Sequence, residues 1–143
     1  MSILRAARSK FLMPVGAAAI MALASPLAGA AHAAGPTCTY NALVSSSAPG
    51  LTATVCIERS GQYARGSVWV QNSGKTAVYV KADAHTDDGG SNGVTEGWVS
   101  PGTTLYDVGN WVADFDAAAE RGHAMIDYYT GSWGWTVIDS PLG

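Results

Sequence analysis

The chain predicts an all-β fold, a small Greek-key-like sandwich of about seven or eight short strands with at most one short helix. Three observations carry that expectation. Runs rich in β-branched residues recur along the chain, and clusters of Gly, Pro, Asn and Ser separate them at the spacing of a sandwich or barrel. The only cysteines, Cys38 and Cys56, fall in the first two of those runs.

The first segment stands outside that pattern and reads as a cleavable secretory signal peptide over residues 1–33. Arg5, Arg8 and Lys10 make a positive start, and residues 11–24 follow without a charged side chain. Pro26 and Gly29 break any continuing helix, and Ala31-His32-Ala33 offers the small residues a signal peptidase needs, with the cut expected after Ala33. A membrane anchor is the rival reading. Roughly 14 apolar residues, interrupted by Pro14 and Gly16, fall short of the roughly 20 that span a bilayer. Arg5 and Arg8 are not adjacent, so there is no twin-arginine signal, and Leu27-Ala28-Gly29 is followed by Ala30 where a lipoprotein signal needs cysteine.

The expected mature extracellular β domain is residues 34–143, long enough for one core but not for two domains. It keeps all 11 acidic side chains and loses three basic ones, so its net charge is about −6. That balance gains nothing from counterion release on phosphates, which makes nucleic acid and anionic membrane surfaces poor partners. In an oxidising compartment the cysteine pair reads as a Cys38–Cys56 disulfide. A redox pair would be spaced Cys-x-x-Cys, and a zinc site would need more ligands.

Residues 37–44 and 51–58 are the first two predicted strands, around a Ser45-Ser46-Ser47-Ala48-Pro49-Gly50 loop. In the second, Leu51, Ala53, Val55 and Ile57 alternate with Thr52, Thr54, Cys56 and Glu58. Cys38 shares its face with Tyr40, Ala42 and Val44, so a simple hairpin would set an apolar face against a polar one. A bulge or an inter-sheet bridge is therefore expected. Residues 67–71 and 76–84 flank Asn72-Ser73-Gly74-Lys75 and predict a hairpin. Residues 94–99 and 103–108 flank Pro101-Gly102, and residues 123–129 and 135–139 bracket Thr130-Gly131-Ser132-Trp133-Gly134. Residues 114–122 alone suggest a helix, with Asp114 or Asp116 as cap and Gly122 at its end.

Asp83, His85, Asp87 and Asp88 form the densest polar group, at the end of a predicted strand and the start of a Gly-rich loop. Alternate strand residues share a face, so oxygen ligands and one imidazole would converge on calcium or another divalent cation. The same stretch has the composition of an ordinary solvated turn without EF-hand spacing, and that is the reading adopted, with no cofactor expected. No free cysteine remains to act as a nucleophile. His123 reads as a core-edge histidine. Carboxylate pairs such as Asp114 with Asp116, or Asp107 with Asp127, are what any acidic domain offers. The domain is expected not to be an enzyme.

The aromatic residues are more telling, because five tryptophans and six tyrosines exceed what a core of this size needs. Trp98 and Trp111 lie near predicted turns and Trp133 within one, where an aromatic either folds back onto the sheet or waits for a partner. Alternation puts Trp135 with Val137 on one strand face and Thr136 with Ile138 on the other; Trp135 is expected inward and Trp133 exposed. The functional expectation is a secreted, non-enzymatic binding protein, for instance an inhibitor of or ligand for an extracellular protein. The alternatives are a carbohydrate-binding module and an envelope or spore-surface structural protein. A coplanar row of exposed aromatics would suit sugar, since pyranose rings stack on flat faces; a protruding loop with one anchor would suit protein.

In architecture the chain resembles small exported bacterial hydrolase inhibitors, among them the tendamistat-type amylase inhibitors. That family carries a Trp-Arg-Tyr triplet between its first two cysteines and a second disulfide. Residues 39–55 hold neither Trp nor Arg here, and there is one cysteine pair, so no family is assigned.

Overall fold

A computed structural model describes residues 35–114 and 119–143. Among them the chain is all-β, with nine strands: β1 (Thr37–Leu43), β2 (Leu51–Ser60), β3 (Tyr63–Asn72), β4 (Val78–Thr86), β5 (Thr95–Val99), β6 (Thr104–Val108), β7 (Val112–Ala113), β8 (Gly122–Tyr129) and β9 (Trp133–Asp139). They form two antiparallel sheets packed face to face. The first has the order β1-β2-β3-β6, with β7 also on β3, and the second has the order β5-β4-β8-β9.

Period-two patterning explains which faces meet. Leu51, Ala53, Val55 and Ile57 of β2, Val68 and Val70 of β3, Val78, Val80, Ala82 and Ala84 of β4, and Ala124 and Ile126 of β8 are buried between the sheets. The core is built from small and β-branched side chains, which suit a pleated surface packed against another.

Cys38 and Cys56 are direct cross-strand partners joined by a disulfide within the first sheet. The conflict between the faces of β1 and β2 is resolved by the expected bulge: Thr39 pairs Val55 and Ala42 pairs Ala53, so Tyr40 and Asn41 share one opposing residue. Asn41 takes φ +51° there, and its amide donates to Thr54 Oγ1 at 3.3 Å. Asparagine is the side chain that best tolerates that left-handed backbone.

The hairpin expected around Asn72-Ser73-Gly74-Lys75 is not one. β3 pairs with β2, β6 and β7, while β4 pairs with β5 and β8, so this turn carries the chain from one sheet to the other. The Asn72 side chain builds the corner: Nδ2 donates to the carbonyls of Thr76 and Val99, each at 2.8 Å, and Oδ1 accepts from the Gly74 amide at 2.8 Å. The Pro101-Gly102 turn crosses back, from β5 to β6. The β4–β5 hairpin is thus inserted between two neighbours of the first sheet, which is the Greek-key-like element of the path. The buried Asp107 of β6 ties the layers together, accepting from the Ala84 amide at 2.8 Å and from Thr95 Oγ1 at 2.6 Å.

Residues 115–118, the middle of the expected helix, lie outside the described residues, as do the expected signal segment, residues 1–33, and Ala34. The described residues include no helix, and Gly122, the expected helix end, opens β8. Its position has a packing reason. A Cβ on Gly122 would collide with the Cys56 carbonyl of the opposite sheet, and one on Gly66 would collide with the His85 carbonyl. The two sheets meet backbone to backbone at this end.

Candidate functional site

The outward face of the second sheet is assembled by register. Val78, Val80, Ala82, Ala84 and Thr86 of β4 turn inward, leaving Tyr79, Lys81, Asp83 and His85 on the open side. Pairing then lines up Trp98 of β5, Tyr79 of β4, Tyr129 of β8 and Trp133 of β9 in one row across all four strands. The next row is Glu96, Lys81, Asp127 and Trp135, and beyond it come Asp83, Met125 and Val137 in that order.

The aromatic row is closely knit. Tyr79 meets Trp98 edge to face with centroids 5.4 Å apart and Trp133 at 6.1 Å, while Tyr129 meets Trp133 at 5.4 Å with 52° between the planes. Lys81 Nζ lies 5.5 Å from the centre of the Trp133 ring, a cation–π contact, and pairs with Glu96 at 3.2 Å. Trp98 is 63% exposed, Trp133 57% and Trp135 72%. Trp98 and Trp133 each stand steeply to Tyr79, at 74° and 87°.

No family model, no curated protein and no solved structure matches the chain. What the site can do rests on its own geometry.

Trp133 and Trp98 thus belong to one surface, whereas Trp111 does not. It lies half-exposed beside β7 of the first sheet, with the Arg65 guanidinium 4.5 Å over its ring. Trp133 is not held in a loop tip: it opens β9, opposite Tyr129. The inward placement of Trp135 is overturned, because Ile138 is the buried residue of β9 and Trp135 and Val137 face out with Trp133. Gly134 opposite Tyr128 explains the inversion: the Tyr128 ring occupies the space a Cβ at Gly134 would need, so the tyrosine fills the core side of β9 that an inward indole would have filled. Tyr79, Tyr129, Met125 and Val137 were missed as surface residues. Alternation marks each strand's two faces, but no signal in the sequence says which strands are neighbours.

The four residues expected as ligands separate into different settings. Asp83 accepts from Ser91 Oγ at 2.6 Å on the open face. His85 stacks on His123 with centroids 5.4 Å apart. Asp87 Oδ1 meets His123 Nε2 at 2.6 Å, and its Oδ2 accepts from the Arg121 amide at 2.9 Å. Asp139 Oδ1 meets the other ring nitrogen, Nδ1, at 2.7 Å. Partial burial of His123 alone would lower its pKa, but bonds to Asp87 and Asp139 outweigh it and hold the ring above its ordinary value. Asp87 is held below its ordinary value, first by the His123 bond and then by the Arg121 amide. His123 is therefore held between two carboxylates, linking β8 to β9 and to the turn after β4.

Asp88 turns the other way and meets Asp114 and Glu120, the three offering carboxylate oxygens within 4.8 Å of one another. Asp114 is buried and ion-paired with Arg59 of β2. Glu120 is only 4% exposed, and neither of its carboxylate oxygens accepts from an amide, guanidinium or hydroxyl donor among the described residues. Burial, a shared-proton hydrogen bond with the Asp88 carboxylate and the charge of Asp114 push its carboxyl up to about 7.

Proposed function

We propose that this chain is an exported, non-enzymatic binding protein that takes a protein partner on the outward face of its second sheet. The observation that carries the reading is the row Trp98, Tyr79, Tyr129 and Trp133, extended by Trp135, Met125 and Val137 into one open apolar surface. Contiguous exposed apolar surface marks interaction sites, and rigid aromatics supply large contact area at little entropic cost. Lys81, Glu96, Asp83 and Asp127 bring charges of both signs to the patch, as at interfaces with an apolar centre and a polar rim.

Export is part of the proposal. The Cys38–Cys56 disulfide is at home in an oxidising compartment, and no helix among the described residues is long and apolar enough to cross a membrane. The non-enzymatic reading has its own support: both ring nitrogens of His123 already face carboxylates, which leaves neither for proton transfer to a substrate.

The test compares wild type with Trp98→Ala and Trp135→Ala in two assays, capture of proteins from culture supernatant and retention on insoluble polysaccharides. A protein captured by wild type and lost from both variants is the expected result. Retention on a polysaccharide that both variants lose would replace the protein partner by a sugar. Capture unchanged in both variants would remove this face from the function.

A further inference from the structure

We infer that Asp88, Asp114 and Glu120 form a binding site for a hard divalent cation, with calcium as its ligand. The site is independent of the aromatic face and would stand if the proposed function fell.

Three carboxylates from separate parts of the chain converge within 4.8 Å: Asp88 from the turn after β4, Asp114 from the end of β7 and Glu120 from the approach to β8. Convergence of acids alone is common. The second observation is Glu120, only 4% exposed, with a carboxylate oxygen in the group and neither oxygen accepting from an amide, guanidinium or hydroxyl donor among the described residues. A buried carboxylate without a donor is costly, and a cation is the partner that relieves it. Arg59 pairs with Asp114 at one side of the group. The donors are all oxygen, with no imidazole or thiolate, which selects calcium or magnesium over zinc or copper. Calcium tolerates irregular oxygen shells from several loops, whereas magnesium demands near-octahedral geometry. Asp88 is exposed, so water can reach and complete the shell.

A cation here would clasp the first sheet, through Asp114, to the second, through Asp88 and Glu120. The experiment is thermal melting and titration calorimetry of the full chain at pH 8 after chelation, with calcium, magnesium or zinc added to a few millimolar. Calcium should raise the melting temperature of wild type by roughly 5 °C at saturation and give a one-site isotherm. Glu120→Gln and the exposed-side Asp88→Asn should each abolish both signals; Asp88→Asn keeps the test available if Glu120→Gln fails to fold. No heat and no shift with calcium in wild type would overturn the site, as would a calcium shift that survives in both variants or a response to zinc alone.

Discussion

An exposed indole contributes to binding what it does not contribute to folding, so Trp98 and Trp135 are positions where one substitution should separate the two. Trp135→Ala, at 72% exposure, is expected to change unfolding free energy by no more than about 0.5 kcal/mol. On the proposed reading it weakens partner binding by about 2 kcal/mol, some thirtyfold in Kd. Denaturant melts and binding curves on the same preparation check both halves. Asp107 is the opposite kind of residue. Its carboxylate is buried and satisfied by the Ala84 amide and the Thr95 hydroxyl, so Asp107→Ala strands an amide between the layers. A loss of about 1–3 kcal/mol in urea unfolding is expected. Gly122→Ala should cost a similar 1–3 kcal/mol by overpacking, because the added methyl meets the Cys56 carbonyl.

At the scale of elements, the clasp of Asp87, His123 and Asp139 joins the end of β4 to β8 and β9 and makes stability depend on pH. His123 is raised above 6.5, so its contribution is complete below that value and is lost as pH rises through the folded-state pKa. Asp87 is lowered below 3.8, so its contribution is present above that value and is lost as pH falls through its folded-state pKa. The clasp therefore stabilises most between about pH 4 and 6.5. Glu120, raised to about 7 from 4.5, also favours the fold below pH 4.5 and withdraws that support as pH rises through 7. Chelated protein should lose stability from pH 6 to 8; His123→Gln should remove one part of that slope and Glu120→Gln another. Asp87 and Asp139 are both well exposed, so solvent screening keeps the clasp's share to about 1 kcal/mol or less. Urea melts at half-unit pH steps check the slope, and a flat profile in wild type would count against both assignments.

For the whole molecule, the disulfide closes a loop of 18 residues within the first sheet. Its reduction frees that loop in the unfolded chain and should cost about 3 kcal/mol, read as the difference between reduced and oxidised denaturation curves. Local patterning alone made much of the architecture legible: the β class, most strand positions, the cysteine pair and, as one of two alternatives, the bulge between β1 and β2. Each of these follows from period-two alternation or from backbone rules acting within a few residues. Neighbourhood was not legible. Asn72-Ser73-Gly74-Lys75 has hairpin composition, yet the bonds of Asn72 to Thr76 and Val99 send the chain to the other sheet. Alternation places Trp135 and Val137 on one face of β9 but is symmetric between inside and outside; the Tyr128 ring beside Gly134 broke that symmetry. The aromatic row, the His123 clasp and the group of Asp88, Asp114 and Glu120 draw on residues from separate strands and turns. Strand order and register brought them together, and those are set by how two whole sheets pack, a property no single segment carries.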